Sequence, residues 1–254
     1  MKTDFNKIIS VLAISALPAF AMADNAFSGF QAGAALGYED VSMDWETDHY
    51  ISAFDQSRGN PSGDTSESLD DSAFAYGVFA NYNMALNGNW IIGAELGYQG
   101  SSISDSVNRI PGSNPFTGPS PNRTKAEVDV NDTVLIGIKG GYLLNDSTMA
   151  YSTLSATFTE VEVSSNCASD NILCDGSAPA HSSSDDDSIT GWALALGVEK
   201  SLSDNISVRA EYRYADLGTA ELAAVQYKNS AAIGVETDVD VTSQTLQIGA
   251  AYKF

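Results

Sequence analysis

Six charged residues interrupt runs that are otherwise rich in apolar, aromatic and small side chains: Glu95, Lys139, Glu199, Arg209, Glu211 and Arg213. In extended chain, successive side chains point to opposite faces. The spacing therefore puts these charges on one face and their apolar neighbours on the other. Arg209, Glu211 and Arg213, for example, oppose Val208, Ala210, Tyr212 and Tyr214. Three acids and three bases withdrawn from water must pair or be heavily hydrogen-bonded. The expected chemistry is a salt-bridge network inside a closed structure. It acts as a plug or, by re-pairing, as the gate of a narrow ion path.

Other reactive residue types are sparse. The two histidines, His49 and His181, are both expected in connections. His181-Ser182-Ser183 offers a base and a nucleophile, but in a run of serines and aspartates without alternation, where nothing fixes their geometry. No catalytic, cofactor-binding or metal-binding residue is assigned. Cys167 and Cys174 form a C-x6-C pair that, in an exported chain, points to one local disulfide, with two free thiols as the alternative. Asp185-Asp186-Asp187 and the acids near Asp44 lack the spacing and closing glutamate of an EF-hand, and read as solvated loops.

The elements that carry these residues are strands. Gly191–Gly218 holds two alternating runs around a polar turn at Ser201–Asn205. The same period of two places strands near 27–39, 72–84, 89–101, 129–143, 148–163 and from about 239 to Phe254. In the fifth, Leu154, Ala156 and Phe158 favour one register and Met149 and Tyr151 the other, which a bulge would reconcile. Asn87-Gly88 and Asn145-Asp146-Ser147 are short turns. Segments 40–71, 102–128, 164–190 and 216–238 read as long loops, the second because Pro111, Pro115, Pro119 and Pro121 exclude a central strand. Connections thus alternate long and short. With apolar residues on one face and charges on the other, this is the pattern of an eight-stranded antiparallel transmembrane β-barrel, with short periplasmic turns and four long extracellular loops. A soluble antiparallel barrel would need its charged face to line a ligand cavity.

Met1–Ala23 has the form of a cleaved export signal: Lys2 and Lys7, an apolar centre from Ile8 to Leu17, and Ala21-Met22-Ala23 before the cut. The apolar part is too short for a spanning helix. The barrel domain is then 24–254. Losing two lysines and Asp4 takes the formal net charge from −21 to −22, which argues against nucleic acid as a partner.

The block Gly191–Gly218, the run Ile136-Gly137-Ile138-Lys139-Gly140-Gly141-Tyr142 and the terminal Ala250-Ala251-Tyr252-Lys253-Phe254 resemble a known family. It is that of the small eight-stranded outer-membrane barrels of Gram-negative bacteria, the opacity-type and OmpA-transmembrane-domain-like proteins. The resemblance implies a monomer in outer-membrane lipid and lipopolysaccharide, inserted by the barrel-assembly machinery. Leu246, Ile248, Tyr252 and Phe254 match the assembly signal. Some members are reported to bind haem, which would make His49, beside Trp45 and Tyr50, a candidate iron ligand; no cofactor is assigned. The reading is a structural, non-enzymatic barrel whose acidic loops adhere to a host surface ligand. The alternatives are a narrow channel or a haem-binding surface protein.

Overall fold

The computed structural model describes residues 25–51, 58–61, 63–86, 88–112, 124–167, 181–225 and 234–254, with backbone alone at 167, 181, 183 and 225. The export segment with Ala21 and Ala23 lies outside the described residues, as does Cys174 and with it the disulfide. One sheet contains β1 (Gly29–Ile51), β2 (Arg58–Gly59), β3 (Ser66–Ala85), β4 (Trp90–Gly100), β5 (Ile103–Val107), β6 (Thr124–Asn145), β7 (Thr148–Cys167), β8 (His181–Ser201), β9 (Ile206–Val225) and β10 (Gly234–Lys253). β2 is a short pairing on β1, and β5 continues the course of β4 along β6. Eight long strands remain. β1 pairs with β3 on one side and with β10 on the other, from Gln31↔Lys253 to Ile51↔Gly234, so the ring closes.

Short turns follow β3, β6 and β8. Gly88 takes φ 83° in the first, Ser147 N–H donates to Asn145 Oδ1 at 3.0 Å in the second, and Leu202 N–H donates to the Ile206 carbonyl at 2.8 Å in the third. Long connections follow β1, β4, β7 and β9.

The strands correct the expected loop boundaries. β1 has 23 residues and β8 has 21, about twice the ~9–11 that a tilted strand uses to cross hydrocarbon. Residues 40–51, 58–59, 66–71, 124–128, 164–167, 181–190, 216–225 and 234–238, read as loop, are strand. The second long segment also contains β5. His49 and His181 lie in strands, and so does Asp185-Asp186-Asp187.

The reason is a change in what alternates. Near the short turns the outward face is apolar: Leu36, Val78, Ile136, Leu196 and Ile248 are exposed. Farther along, the apolar side chains turn inward: Val41, Met43, Trp45, Val128, Val161, Val163, Val239 and Val241 are buried in one cluster. In β1 the apolar parity slips from Phe30–Tyr38 (even numbers) to Val41–Trp45 (odd numbers). In β6 parity is kept and an extra residue between Val130 and Thr133 rotates the strand instead. β9 does the same at Gly218, whose φ of 103° and whose contact with the Thr190 carbonyl leave no room for a Cβ. β7 runs without a break against β8 from Thr148 to Cys167, so the bulge lies in β6 and not here. Met149 and Tyr151 point inward, closing the short-turn end with Phe27 and Ile91.

In the upper half the ring divides into two sheets. β8 and β9 stop pairing at Trp192↔Asp216, and β3 and β4 at Tyr76↔Gly100. Across the first gap Asp185 and Asp187 accept from the backbone N–H groups of Ala223 (3.0 Å) and Glu221 (3.4 Å). Across the second, Asp71 accepts from Ser104 N–H (2.9 Å) and Asp105 from Asp70 N–H (3.2 Å). The β9-β10-β1-β3 and β5-β6-β7-β8 layers therefore pack face to face over the apolar cluster, as in a sandwich. Ile110 and Pro111 cap it: Thr47 Oγ1 donates to the Pro111 carbonyl at 2.8 Å, and Ile110 is fully buried.

Trp45 is fully buried at the centre of this cluster. Replacing it by alanine is expected to cost about 3–5 kcal/mol, read as a lower urea midpoint for barrel unfolding in lipid vesicles. An unchanged midpoint would refute the packed upper core.

Candidate functional site

All six charges singled out by sequence lie in the lumen, and they form one connected layer. Lys139 Nζ is 3.1 Å from Glu199 Oε2 and 3.9 Å from Glu95 Oε2. Arg209 bridges to Glu95 at 2.9 Å and approaches Glu211 at 3.9 Å. Arg213 pairs with Glu211 at 2.7 Å. β4 and β9 are four places apart around eight strands, so Arg209–Glu95 spans the lumen. A second crossing lies beside it, where Arg213 donates to Gln99 Oε1 at 2.7 Å. The alternation of each strand aims these residues inward, and glycines facing them keep the interior wide enough. A Cβ on Gly197, for instance, would meet the Tyr151 ring at 2.4 Å.

The layer contains partners that a search for charges alone passes over. Tyr151 donates to Glu211 Oε2 (2.8 Å), Gln247 to Glu211 Oε1 (2.7 Å), Ser207 to Glu199 Oε1 (2.7 Å) and Gln99 to Glu39 Oε1 (2.8 Å). The Arg209 guanidinium lies 3.4 Å from the Phe79 ring centroid, and Lys139 Nζ 4.0 Å from that of Tyr151. Glu39 corrects the expected balance of three acids and three bases: it is buried, and among the described residues the buried charges are four acids and three bases. It was hidden because it ends an apolar run at the point where polarity inverts. A void of about 20 Å³ remains beside Phe79, Glu95, Gln99 and Arg209, room for about one water.

Outside, at the level of the upper core, the wall is acidic. Glu46, Asp238 and Glu221 stand side by side across β1, β10 and β9. Asp129, Glu162 and Asp186 do so across β6, β7 and β8. Like charges in directly opposite positions repel. Asp238 is consequently held above the usual carboxylate range, by burial first and then by Asp48, Glu221, Asp240 and Glu46. His49 belongs to this outer wall. Its expected neighbours for haem, Trp45 and Tyr50, are buried in the core; the imidazole faces Asp48 and Glu236 instead.

The lipid-facing belt below is bounded by aromatics. Trp90 packs on Tyr142 with centroids 5.1 Å apart near the short turns, and Trp192 on Tyr214 at 5.8 Å near the inversion. Leu246, Ile248, Tyr252 and Phe254 all face outward in this belt. His181 opens β8 opposite Cys167, so the His181-Ser182-Ser183 run is strand rather than loop.

A model of the outer membrane protein beta-barrel domain matches residues 9–254. The 31 kDa outer-membrane immunogenic proteins of Brucella melitensis and Brucella suis are each 31% identical over 208 residues, covering 81% of this chain and 76% of theirs. Among solved structures, Ail of Yersinia pestis in complex with sucrose octasulfate is 13% identical, covers 89% of this chain and 99% of its own, and gives a TM-score of 0.43. The outer membrane protease OmpT of Escherichia coli is 10% identical, with coverages of 89% and 97% and a TM-score of 0.49.

Two outcomes test the site. Glu95→Ala leaves Arg209 and Lys139 short of a buried partner, and is expected to destabilise the barrel by about 3–5 kcal/mol. An unchanged unfolding temperature, read by heat-modifiable gel migration, would count against the network. Asp238, with its folded-state pKa raised, contributes stability that is fully present below the ordinary carboxylate range and is lost as pH rises through the folded value. Asp238→Asn should therefore raise the unfolding temperature at neutral pH, and the difference from the parent should shrink as pH falls. A pH-independent difference would refute the repulsion.

Proposed function

The chain belongs to the outer membrane protein beta-barrel domain family, integral to the bacterial outer membrane, and on that premise we propose a sealed structural barrel that works through its acidic extracellular half. The observation that carries this reading is the filling of the lumen along its length. A paired charge layer sits below, and a core of valine, isoleucine, methionine and tryptophan above it. An ion path would require the charge network to re-pair and the apolar core to part, so a gated narrow channel is the weaker alternative.

The extracellular half then acts as a rigid post for surface binding. Its acidic wall favours basic segments of a host or matrix protein, in contacts that weaken with salt. The same wall repels lipopolysaccharide phosphates unless cations lie between them. Leu246, Ile248, Tyr252 and Phe254 supply the barrel-assembly signal of the last strand, and the barrel is a monomer without catalytic activity.

Single-channel recording on refolded protein in planar bilayers separates the readings. The sealed barrel is expected to be silent in its parent form. Reproducible conductance steps that change with Lys139→Ala would establish a permeation path through the charge layer and overturn this proposal.

A further inference from the structure

The outer wall carries, at the seam between β1 and β10, a group of side chains whose chemistry differs from that of the surrounding acids. β1 and β10 are in register up to Thr47↔Thr237, and resume at His49↔Glu236, with Asp48 as the extra residue. Thr47 and Tyr50 remain buried on the inner side. The bulge therefore sets two consecutive residues, Asp48 and His49, on the outer face beside Glu236. His49 Nδ1 lies 2.7 Å from Asp48 Oδ2, and its Nε2 3.1 Å from Glu236 Oε2. Nε2 is buried, and the Glu236 oxygen lies off the line a ring N–H would take, so that nitrogen has no hydrogen-bond partner.

With its proton on Nδ1, the nitrogen 2.7 Å from Asp48 Oδ2, the ring presents a lone pair at Nε2, as a metal-binding imidazole oriented by a carboxylate does. Two donors each about 2.1 Å from one tetrahedral ion stand about 3.4 Å apart, and Nε2 and the Glu236 oxygen, at 3.1 Å, need part only slightly to admit one. Donor atoms of Asp48, His49 and Glu236 all fall within 4.8 Å of one another. We propose that Asp48, His49 and Glu236 form a divalent transition-metal site of Zn²⁺ type on the outer wall, with His49 Nε2 and Glu236 as ligands and Asp48 as the orienting group. An imidazole among the donors selects this class over Mg²⁺ and Ca²⁺, which take oxygen donors. Bound there, the ion ties the first strand to the last at the outer end of the closing seam.

Arg58 is the built-in competitor. Its guanidinium lies 3.2 Å from the same Glu236 oxygen, and the side chain is otherwise exposed. Removing it frees that oxygen and makes the site more negative, so Arg58→Ala should bind the ion more tightly than the parent.

The test is calorimetric titration of Zn²⁺ into the full, refolded barrel in detergent with excess Mg²⁺, folding of each variant being verified by heat-modifiable migration. The parent is expected to bind one ion saturably. His49→Ala should weaken binding at least about 10- to 100-fold, and Asp48→Asn about 10-fold. Arg58→Ala should strengthen it, while His181→Ala should leave it unchanged. Binding that Mg²⁺ abolishes, that survives His49→Ala, or that disappears with His181→Ala instead would overturn the assignment. Should His49→Ala fail to fold, the surface substitution Arg58→Ala decides: no gain in affinity refutes competition at Glu236.

Discussion

A backbone N–H or C=O that faces hydrocarbon has no water to bond, and that constraint governs every lipid-spanning strand of this chain. A sheet satisfies it only by having no edge. The pairing of β1 with β10 is thus the interaction on which everything else depends. Closure defines an inside and an outside, fixes which side chains must be apolar, and draws the lumen residues together from strands far apart in sequence. Where the chain rises above the lipid the constraint lapses, and the structure shows it lapsing. The ring splits between β8 and β9 and between β3 and β5, with aspartate side chains receiving backbone N–H groups that the ladder no longer serves.

The same strand therefore obeys two solvents in turn. Within lipid its apolar face is outside; in water its apolar face is inside. A period-two pattern can cross that boundary in two ways. It can skip one position in the sequence, as β1 does between Tyr38 and Val41, or keep its parity and gain one residue of bulge, as β6 does between Val130 and Thr133. The lipid-spanning halves were legible because each had the same phase as its neighbours. Val41-Ser42-Met43-Asp44-Trp45-Glu46 alternates as clearly as Gly33–Tyr38, yet in the opposite sense for a barrel face. Read against the phase of the first half, such a run looks like a loss of periodicity. Acidic content then makes the loop assignment more persuasive than it should be.

For the lumen, alternation was sufficient to identify the charged residues, because a charge on the inner face of a narrow barrel has nowhere else to go. Which charge meets which was not legible. Glu199 and Arg209 stand opposite one another in the β8–β9 ladder, but Arg209 reaches across to Glu95 and Glu199 takes Lys139 and Ser207. Partner choice depends on barrel diameter and on large neutral side chains such as Phe79 and Tyr151, which no pairwise spacing encodes. Buried ion pairs contribute little net stability compared with well-packed apolar residues, and removing one partner is costly. Charges in this layer thus specify one arrangement of the ring, while the valine-rich core above it supplies cohesion.

That division bears on why the outer wall can be so acidic. Self-repulsion of Asp238 with Glu46 and Glu221, its direct neighbours on either side, opposes folding of the upper half, and ordinary ionic strength screens only part of it, since adjacent strands stand well within a Debye length of about 8 Å. A membrane-embedded ring with a cross-lumen network holds the base of both sheets in place. The packed interior, from Trp45 to Val239, holds them together above. With the scaffold secured from below and within, the outer face is free of structural duty and can accumulate negative charge. The position of His49 stands out against that background. It is an imidazole on the closing seam, flanked by carboxylates, with one nitrogen left unbonded. The ion proposed there would give that nitrogen a partner and join the first strand to the last.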